Sequence, residues 1–247
     1  MPRVRLASAL LVPEPFAREI DGLRRALGDD LERVPPHLTL VPPVNVRVDD
    51  VSAVLAQLRG AGAGIEPFAV TLGPPATFQP VNPVVYLQVG GDVEAVNEIR
   101  NRVFTGALAR KLTHEFVPHV TISENTAPDR IDVALIALAD YKIEVSFESV
   151  HLLQEVRRRW NPIAEVRFEA PLVVGRGGIE TEIMTSSMAD PEVAEFLGEP
   201  RPGAEQVIVA RRDGVVVSVA LATGGELVQF VGDPDLERQL LKLARAD

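Results

Sequence analysis

A chain of 247 residues, 46% apolar and 24% charged, is long enough for one large domain or two small ones with a sizeable core. With no cysteine there is no disulfide, no thiolate nucleophile and no thiolate zinc site, a composition that suits a reducing cytoplasm. The net charge of −10 argues against broad binding to a nucleic-acid backbone, which needs clustered Lys and Arg, but leaves room for a cleft that takes one phosphate. The basic start at residues 1–5 precedes an apolar run that ends at Pro13-Glu14 without a small-residue cleavage site, so no signal peptide is expected. No stretch reaches the roughly 18 apolar residues of a membrane span, and no membrane partner is expected.

In chain order, residues 3–12 read as a strand closed by Pro13. A helix follows over 14–27, with Phe16, Ile20, Leu23 and Leu27 at helical spacing and Gly28 as its C-cap. A strand bounded by Pro35-Pro36 and Pro42-Pro43 comes next, since proline offers no ladder donor. Asp49 or Asp50 is expected to cap a second helix to Arg59, ended by the glycines of 60–64. Strands over 68–72 and 84–89 flank a Pro/Asn-rich loop containing Phe78. A helix over 92–111, a strand around His119 and a helix over 131–138 complete this run. Strands over 142–155 and 163–170 then flank a turn carrying Arg157-Arg158-Arg159-Trp160. The expectation is two α+β halves of similar plan.

The glycines at 175, 177 and 178 mark 171–182 as a boundary or linker. Beyond it come a helix over 191–197 and three strands at 206–210, 215–222 and 226–231. Asp213-Gly214 and Gly224-Gly225 are hairpin signals between them, and Asp233 caps a last helix. The predicted units are 1–172 and a smaller 173–247, the latter carrying −6 of the net charge.

Two of these strands say the same thing. Pro36-His37-Leu38-Thr39-Leu40 recurs as Pro118-His119-Val120-Thr121-Ile122. Strand side chains alternate between faces, so each His and Thr share one face while the apolar pair turns to the core. Two such pairs on one cleft would present two imidazoles and two hydroxyls.

Histidine alone titrates near neutrality without perturbation, so a pair can supply one proton acceptor and one donor. In-line displacement at phosphorus needs both, and threonine hydroxyls can donate to the non-bridging oxygens where charge gathers. No metal is required by this scheme. A lone strand histidine beside a threonine is usually only a satisfied structural pair; the duplication reverses those odds. His114 reads as a loop or strand-entrance residue and His151 as structural. Arg157, Arg158 and Arg159 form either a solvated turn or a cationic turn that holds a phosphate. Phe78, Tyr86 and Trp160 are candidates to stack a nucleobase, with core packing the simpler reading.

At the paired His-x-Thr residues the chain resembles the 2H phosphoesterase superfamily, and within it the 2′-5′ RNA ligase and RNA 2′,3′-cyclic phosphodiesterase branch. The resemblance covers roughly residues 3–170. It implies a bilobal, pseudo-symmetric α+β fold with mixed or antiparallel sheets around a central cleft, to which the tail adds a small α/β unit. It also implies hydrolysis of 2′,3′-cyclic or 2′-5′ phosphodiester bonds, at RNA ends or in nucleotides, without cofactor or metal. His37 would be the general acid and His119 the general base, with Thr39 and Thr121 holding the phosphate. The competing reading is a non-catalytic nucleotide-binding or regulatory module.

The tail resembles the middle of a GNAT-type N-acetyltransferase over 207–216 and 226–231. Where that family has a Gly-containing pyrophosphate loop, this chain has Asp233-Pro234-Asp235-Leu236-Glu237-Arg238, whose carboxylates would repel a phosphate. A degenerate unit used for docking or self-association is therefore expected, not one that uses acetyl-coenzyme A.

Overall fold

Burial with period two along the motif strands decides how the sheet is built. Leu38 and Leu40 on β2 (His37–Arg47), and Val120 and Ile122 on β5 (His119–Ser123), are all 0% exposed. The His and Thr between them are half-buried on the other face. The computed structural model describes residues 1–62, 65–124, 126–168, 172–176, 179–186, 188, 190–200 and 203–244.

The other strands of this sheet are β1 (Arg3–Leu11), β3 (Phe68–Thr77), β4 (Val85–Gly91), β6 (Ile143–Phe147), β7 (Ser149–Val156) and β8 (Arg159–Arg167). All pairings are antiparallel, in the order β6-β3-β4-β5-β2-β1-β7-β8, which makes the motif strands central neighbours. The helices are α1 (Phe16–Leu27), α2 (Val51–Gly62), α3 (Val93–Val103) and α4 (Pro128–Ala137). The run β1-α1-β2 in one half is repeated as β4-α3-β5 in the other. Each half also lends its helix to its partner: α1 packs on β5 and α3 on β2, while α2 lies over β7 and β8 and α4 over β3. One apolar core runs beneath both halves. This is the expected bilobal, pseudo-symmetric α+β fold.

Several boundaries differ from expectation, each for a local reason. β2 runs on through Pro42-Pro43 to Arg47, because a register shift opposite Leu6 and Ser8 leaves the prolines outside the regular pairing. Asp49 and Asp50 sit in a 3-10 turn ahead of α2, and Asp50 is taken up by the Arg47 guanidinium at 2.7 and 2.8 Å instead of capping. The helix after Asp92 stops at Val103, where Phe104 leaves helical geometry, and does not reach Lys111. The strand expected over 142–155 is broken at Glu148 into β6 and β7, which sit in opposite halves of the sheet. The turn after β7 is only Arg157-Arg158, so Arg159 and Trp160 already belong to β8.

The expected linker is also strand. β9 (Leu172–Arg176) and β10 (Ile179–Ser186) join β11 (Gln206–Arg212), β12 (Val215–Thr223) and β13 (Glu226–Gly232) in an antiparallel sheet, ordered β13-β12-β11-β10-β9. Gly177 and Gly178 lie outside the described residues. Both hairpin signals hold, with positive φ at Asp213 (53°) and Gly214 (78°), and at Gly224 (56°) and Gly225 (76°). The sheet is covered on both faces. Val207 and Val209 pack towards α5 (Pro191–Leu197), and Ile208 and Ala210 towards α6 (Glu237–Ala244). Asp233 accepts from the Asp235 amide at 3.1 Å in the 3-10 turn before α6. Among the described residues no helix is long and apolar enough to cross a membrane.

Candidate active site

β2 and β5 are bridged at one pair, Leu38 opposite Val120. Antiparallel register about that pair sets His37 across from Thr121 and Thr39 across from His119, four polar side chains in a two-by-two patch. The imidazoles take its diagonal, where residues are separated by roughly 7–8 Å in regular sheet. That leaves space for a phosphoryl group between two ring nitrogens.

The two rings are held alike. His37 Nδ1 donates to the Pro35 carbonyl at 2.8 Å, and His119 Nδ1 donates to the Val117 carbonyl at 2.7 Å. A carbonyl can only accept, so each Nδ1 carries the hydrogen and each Nε2 keeps its lone pair for the cleft. Burial lowers the pKa of His37 from 6.5 to about 4, against the Pro35 carbonyl bond, with smaller contributions from Arg24, His119 and Arg33. His119 is lowered as well, by burial opposed by the Val117 bond. Both imidazoles are thus neutral at pH 7 in the free protein. Among the described residues neither Thr39 nor Thr121 has a hydrogen-bond partner for its hydroxyl, so both can donate to a ligand.

The cleft has two hollows that meet at Thr39 and Glu124. The smaller, about 150 Å³, is lined by His37 with Ser8, Arg33 and Trp160. The larger, about 940 Å³, is lined by His119 and Thr121 with Phe78, Arg100, His114 and Phe116. One guanidinium borders each hollow. Arg33 is ion-paired with Glu124, whose carboxylate lies where the hollows join.

The loop that delivers His37 is pinned from below. Arg24, 3% exposed, donates to the Val34 carbonyl at 2.9 Å and the Asp30 carbonyl at 3.2 Å, and pairs with Asp21 and Asp29. Asp29 in turn accepts from the Glu124 amide at 3.4 Å, tying the approach to β2 to the exit of β5.

Phe78 and Tyr86 both gather at His119. Their rings stack on each other at 4.2 Å and stand edge-on to the imidazole at 5.1 and 5.3 Å. Phe78 forms cavity wall, while Tyr86 lies buried behind it. Trp160 is 8% exposed, packed with Ala7, Ala9 and Leu153 beside the smaller hollow. The structure does not bring the three arginines to the cleft. Arg157 and Arg158 are exposed at the hairpin tip, and Arg159 is paired with Glu32. His151 borders neither hollow, and its Nε2 lies 3.9 Å from Glu165. His114, read as a loop residue, is exposed at the wall of the larger hollow. Arg24, Arg33, Arg100 and Glu124 were not singled out by sequence; Arg33, Arg100 and Glu124 reach the cleft and Arg24 the loop beneath His37 by tertiary packing, and none shares a motif. Among the described residues no three His, Asp or Glu side chains are grouped to hold a metal ion.

The model of the 2′-5′ RNA ligase superfamily matches residues 12–159, more than half of the chain and both His-x-Thr strands. This chain belongs to that superfamily. A Bacillus licheniformis protein assigned by name to the phosphoesterases is 27% identical over 150 residues, 60% of this chain and 88% of that one. A similarly named protein of Bacillus cytotoxicus is 27% identical over 161 residues, 64% of this chain and 93% of that one. Among solved structures, the TT0787 protein of Thermus thermophilus superposes with a TM-score of 0.51 at 16% identity, over 67% of this chain and 98% of that one. At that identity the likeness concerns the fold. The superfamily match and the named relatives place this chain among the phosphoesterases.

Proposed function

We propose that this chain hydrolyses 2′,3′-cyclic phosphate or 2′-5′ phosphodiester bonds, at RNA ends or in small nucleotides, by acid–base catalysis from the two motif histidines. The observation that carries the reading is the matched pair of Nδ1-to-carbonyl bonds, which leaves the Nε2 lone pair free on each of two neighbouring strands, beside hollows that meet at Thr39 and Glu124. For a cyclic phosphate, His119 Nε2 takes a proton from water as its oxygen attacks phosphorus. The phosphorus–O3′ bond breaks in line, and His37 delivers a proton to O3′, leaving a 2′-phosphate. Thr39 and Thr121 donate to the non-bridging oxygens, where charge accumulates. The bound phosphate's negative charge offsets the burial that keeps His37 neutral and lets it carry the proton it must give.

His37→Ala and His119→Ala should each cut kcat by about a hundredfold or more, the usual worth of a general acid or base. Activity should be complete in a chelator, since two imidazoles already supply both proton transfers. Phosphorus NMR of the product from a nucleoside 2′,3′-cyclic phosphate reports which oxygen keeps the phosphate. Undiminished turnover in either single variant overturns the proposal. The burial that keeps His37 uncharged favours a second reading, a nucleotide-binding module without turnover. Titration with a nucleoside 2′-phosphate showing binding, beside no product from the cyclic compound, would select it.

A further inference from the structure

Among the described residues Arg100 is a cation without a counter-ion. Its guanidinium carbon lies 4.4 Å from the Phe116 ring centroid and 4.7 Å from that of Phe104. Its Nε is buried with no partner, and Nη1 reaches only the Asn101 side-chain oxygen at 3.4 Å. Among the described residues no carboxylate lies within ion-pair distance of it, although Glu115 and Glu124 border the same hollow. The other guanidiniums drawn into the fold are matched: Arg24 by Asp21 and Asp29, Arg59 and Arg211 by Asp190 and Glu192. In a chain of net charge −10, a half-buried arginine left without a carboxylate beside a 940 Å³ hollow is a standing site for an anion.

Its place says which anion. Phe116 is three residues before His119, so the two Cα atoms are at most about 11 Å apart, a distance that one nucleotide unit covers. With its flat surface over aromatic rings, the guanidinium has its N–H edge left to offer, which suits a phosphate oxygen better than a stacked base. We propose that Arg100, backed by Phe104 and Phe116, binds the phosphodiester next to the reacting one, so that the larger hollow takes a second nucleotide. This rests on the hydrolase reading and adds to it a preference for an oligonucleotide end over a mononucleotide.

The test compares adenosine 2′,3′-cyclic phosphate with the adenylyl-(3′-5′)-adenosine dinucleotide ending in the same cyclic phosphate. The wild-type protein should favour the dinucleotide in kcat/KM by about ten- to a hundredfold, the range a charge-assisted hydrogen bond supports. Arg100→Gln should abolish most of that preference, chiefly through KM, and Arg100→Lys should keep part of it. Equal use of both compounds by the wild type, or an equal loss on both in Arg100→Gln, overturns the subsite and leaves the hydrolase reading standing. The same pair is titrated against His119→Ala by calorimetry. If neither compound is turned over, the hydrolase reading fails, and this titration alone decides the subsite. An Arg100-dependent preference for the dinucleotide upholds it, and equal affinities overturn it.

Discussion

Burial keeps both motif imidazoles uncharged, and most strongly at His37, lowered to about 4. An unfolded histidine titrates near 6.5, so between that value and about 4 the unfolded chain binds a proton that the native His37 refuses. The stability His37 contributes is whole above pH 6.5 and drains away as the pH falls towards 4. His37→Gln should therefore flatten the decline of the urea midpoint between pH 7 and pH 4.5, measured against wild type. Turnover has the opposite leaning. One imidazole must be protonated and the other not, so kcat/KM should peak on the acid side of pH 6.5; an optimum above pH 8 would contradict the scheme. Thr39→Val should lower kcat by about a hundredfold, as for loss of one donor to developing charge, with Thr39→Ser restoring much of it. Alternation along a strand made these four residues visible in sequence, because His and Thr two apart share a face whatever the tertiary fold. Arg33, Glu124 and Arg100 had no such marker. They come from a loop, a strand exit and a helix, and only the packing of two halves brings them to one cleft.

The hairpin between β7 and β8 shows why glycine turns were readable and this one was not. Asp213-Gly214 and Gly224-Gly225 announce themselves, since left-handed backbone favours glycine. Arg157 and Arg158 take up the same left-handed region, at φ of 51° and 68°, with bulky side chains. Sequence offers no sign of that, and a longer turn through Pro162 was the natural expectation. L-residues other than Gly, Asn and Asp are strained there by roughly 1–2 kcal/mol each. Replacing the pair by Asn-Gly should raise stability by about 1–3 kcal/mol in chemical denaturation. The same variant tests whether this cationic turn meets substrate. An unchanged KM for a cyclic nucleotide is expected from its exposed position away from both hollows; a marked rise in KM would restore the arginines to the site. Proline misled in the other direction. Pro42-Pro43 looked like a strand end, but the pairing irregularity opposite β1 lets β2 continue past them.

The relation between the two units was hidden in sequence because the contacts that make it are long-range. The glycines near 175 suggested a boundary or linker, yet Gly175 and the chain after Gly178 are paired into one sheet. Across the boundary, Arg59 on α2 meets Asp190 at 3.5 Å and Glu192 at 3.0 Å, 131 and 133 residues away. Arg211 on β11 meets the same two carboxylates at 3.1 and 2.6 Å. Two cations thus share two anions at the start of α5, and Asp190 also accepts from the Glu192 amide at 3.0 Å. The members are not equivalent. The Arg211 side chain is 1% exposed, and without it Asp190 and Glu192 would be left with Arg59 as their one cation, a loss of about 3–5 kcal/mol for a buried pair broken on one side. Arg59 is the only one of the four from the first unit, and burial lowers its pKa ahead of the Arg211 charge. Removing it leaves the Arg211 pairs intact inside the second unit and takes away only the tie between units. Arg59→Gln should therefore cost less, about 1–3 kcal/mol, the worth of a hydrogen bond to a charged group. It should also separate the unfolding of the C-terminal sheet from that of the eight-stranded one, seen as a second transition in denaturant or as early proteolysis confined to residues beyond 171. Arg211→Gln should instead destabilise the C-terminal unit itself. Equal, single-step unfolding of wild type and Arg59→Gln would show that packing between β8 and β10, and not this charge cluster, couples the two units.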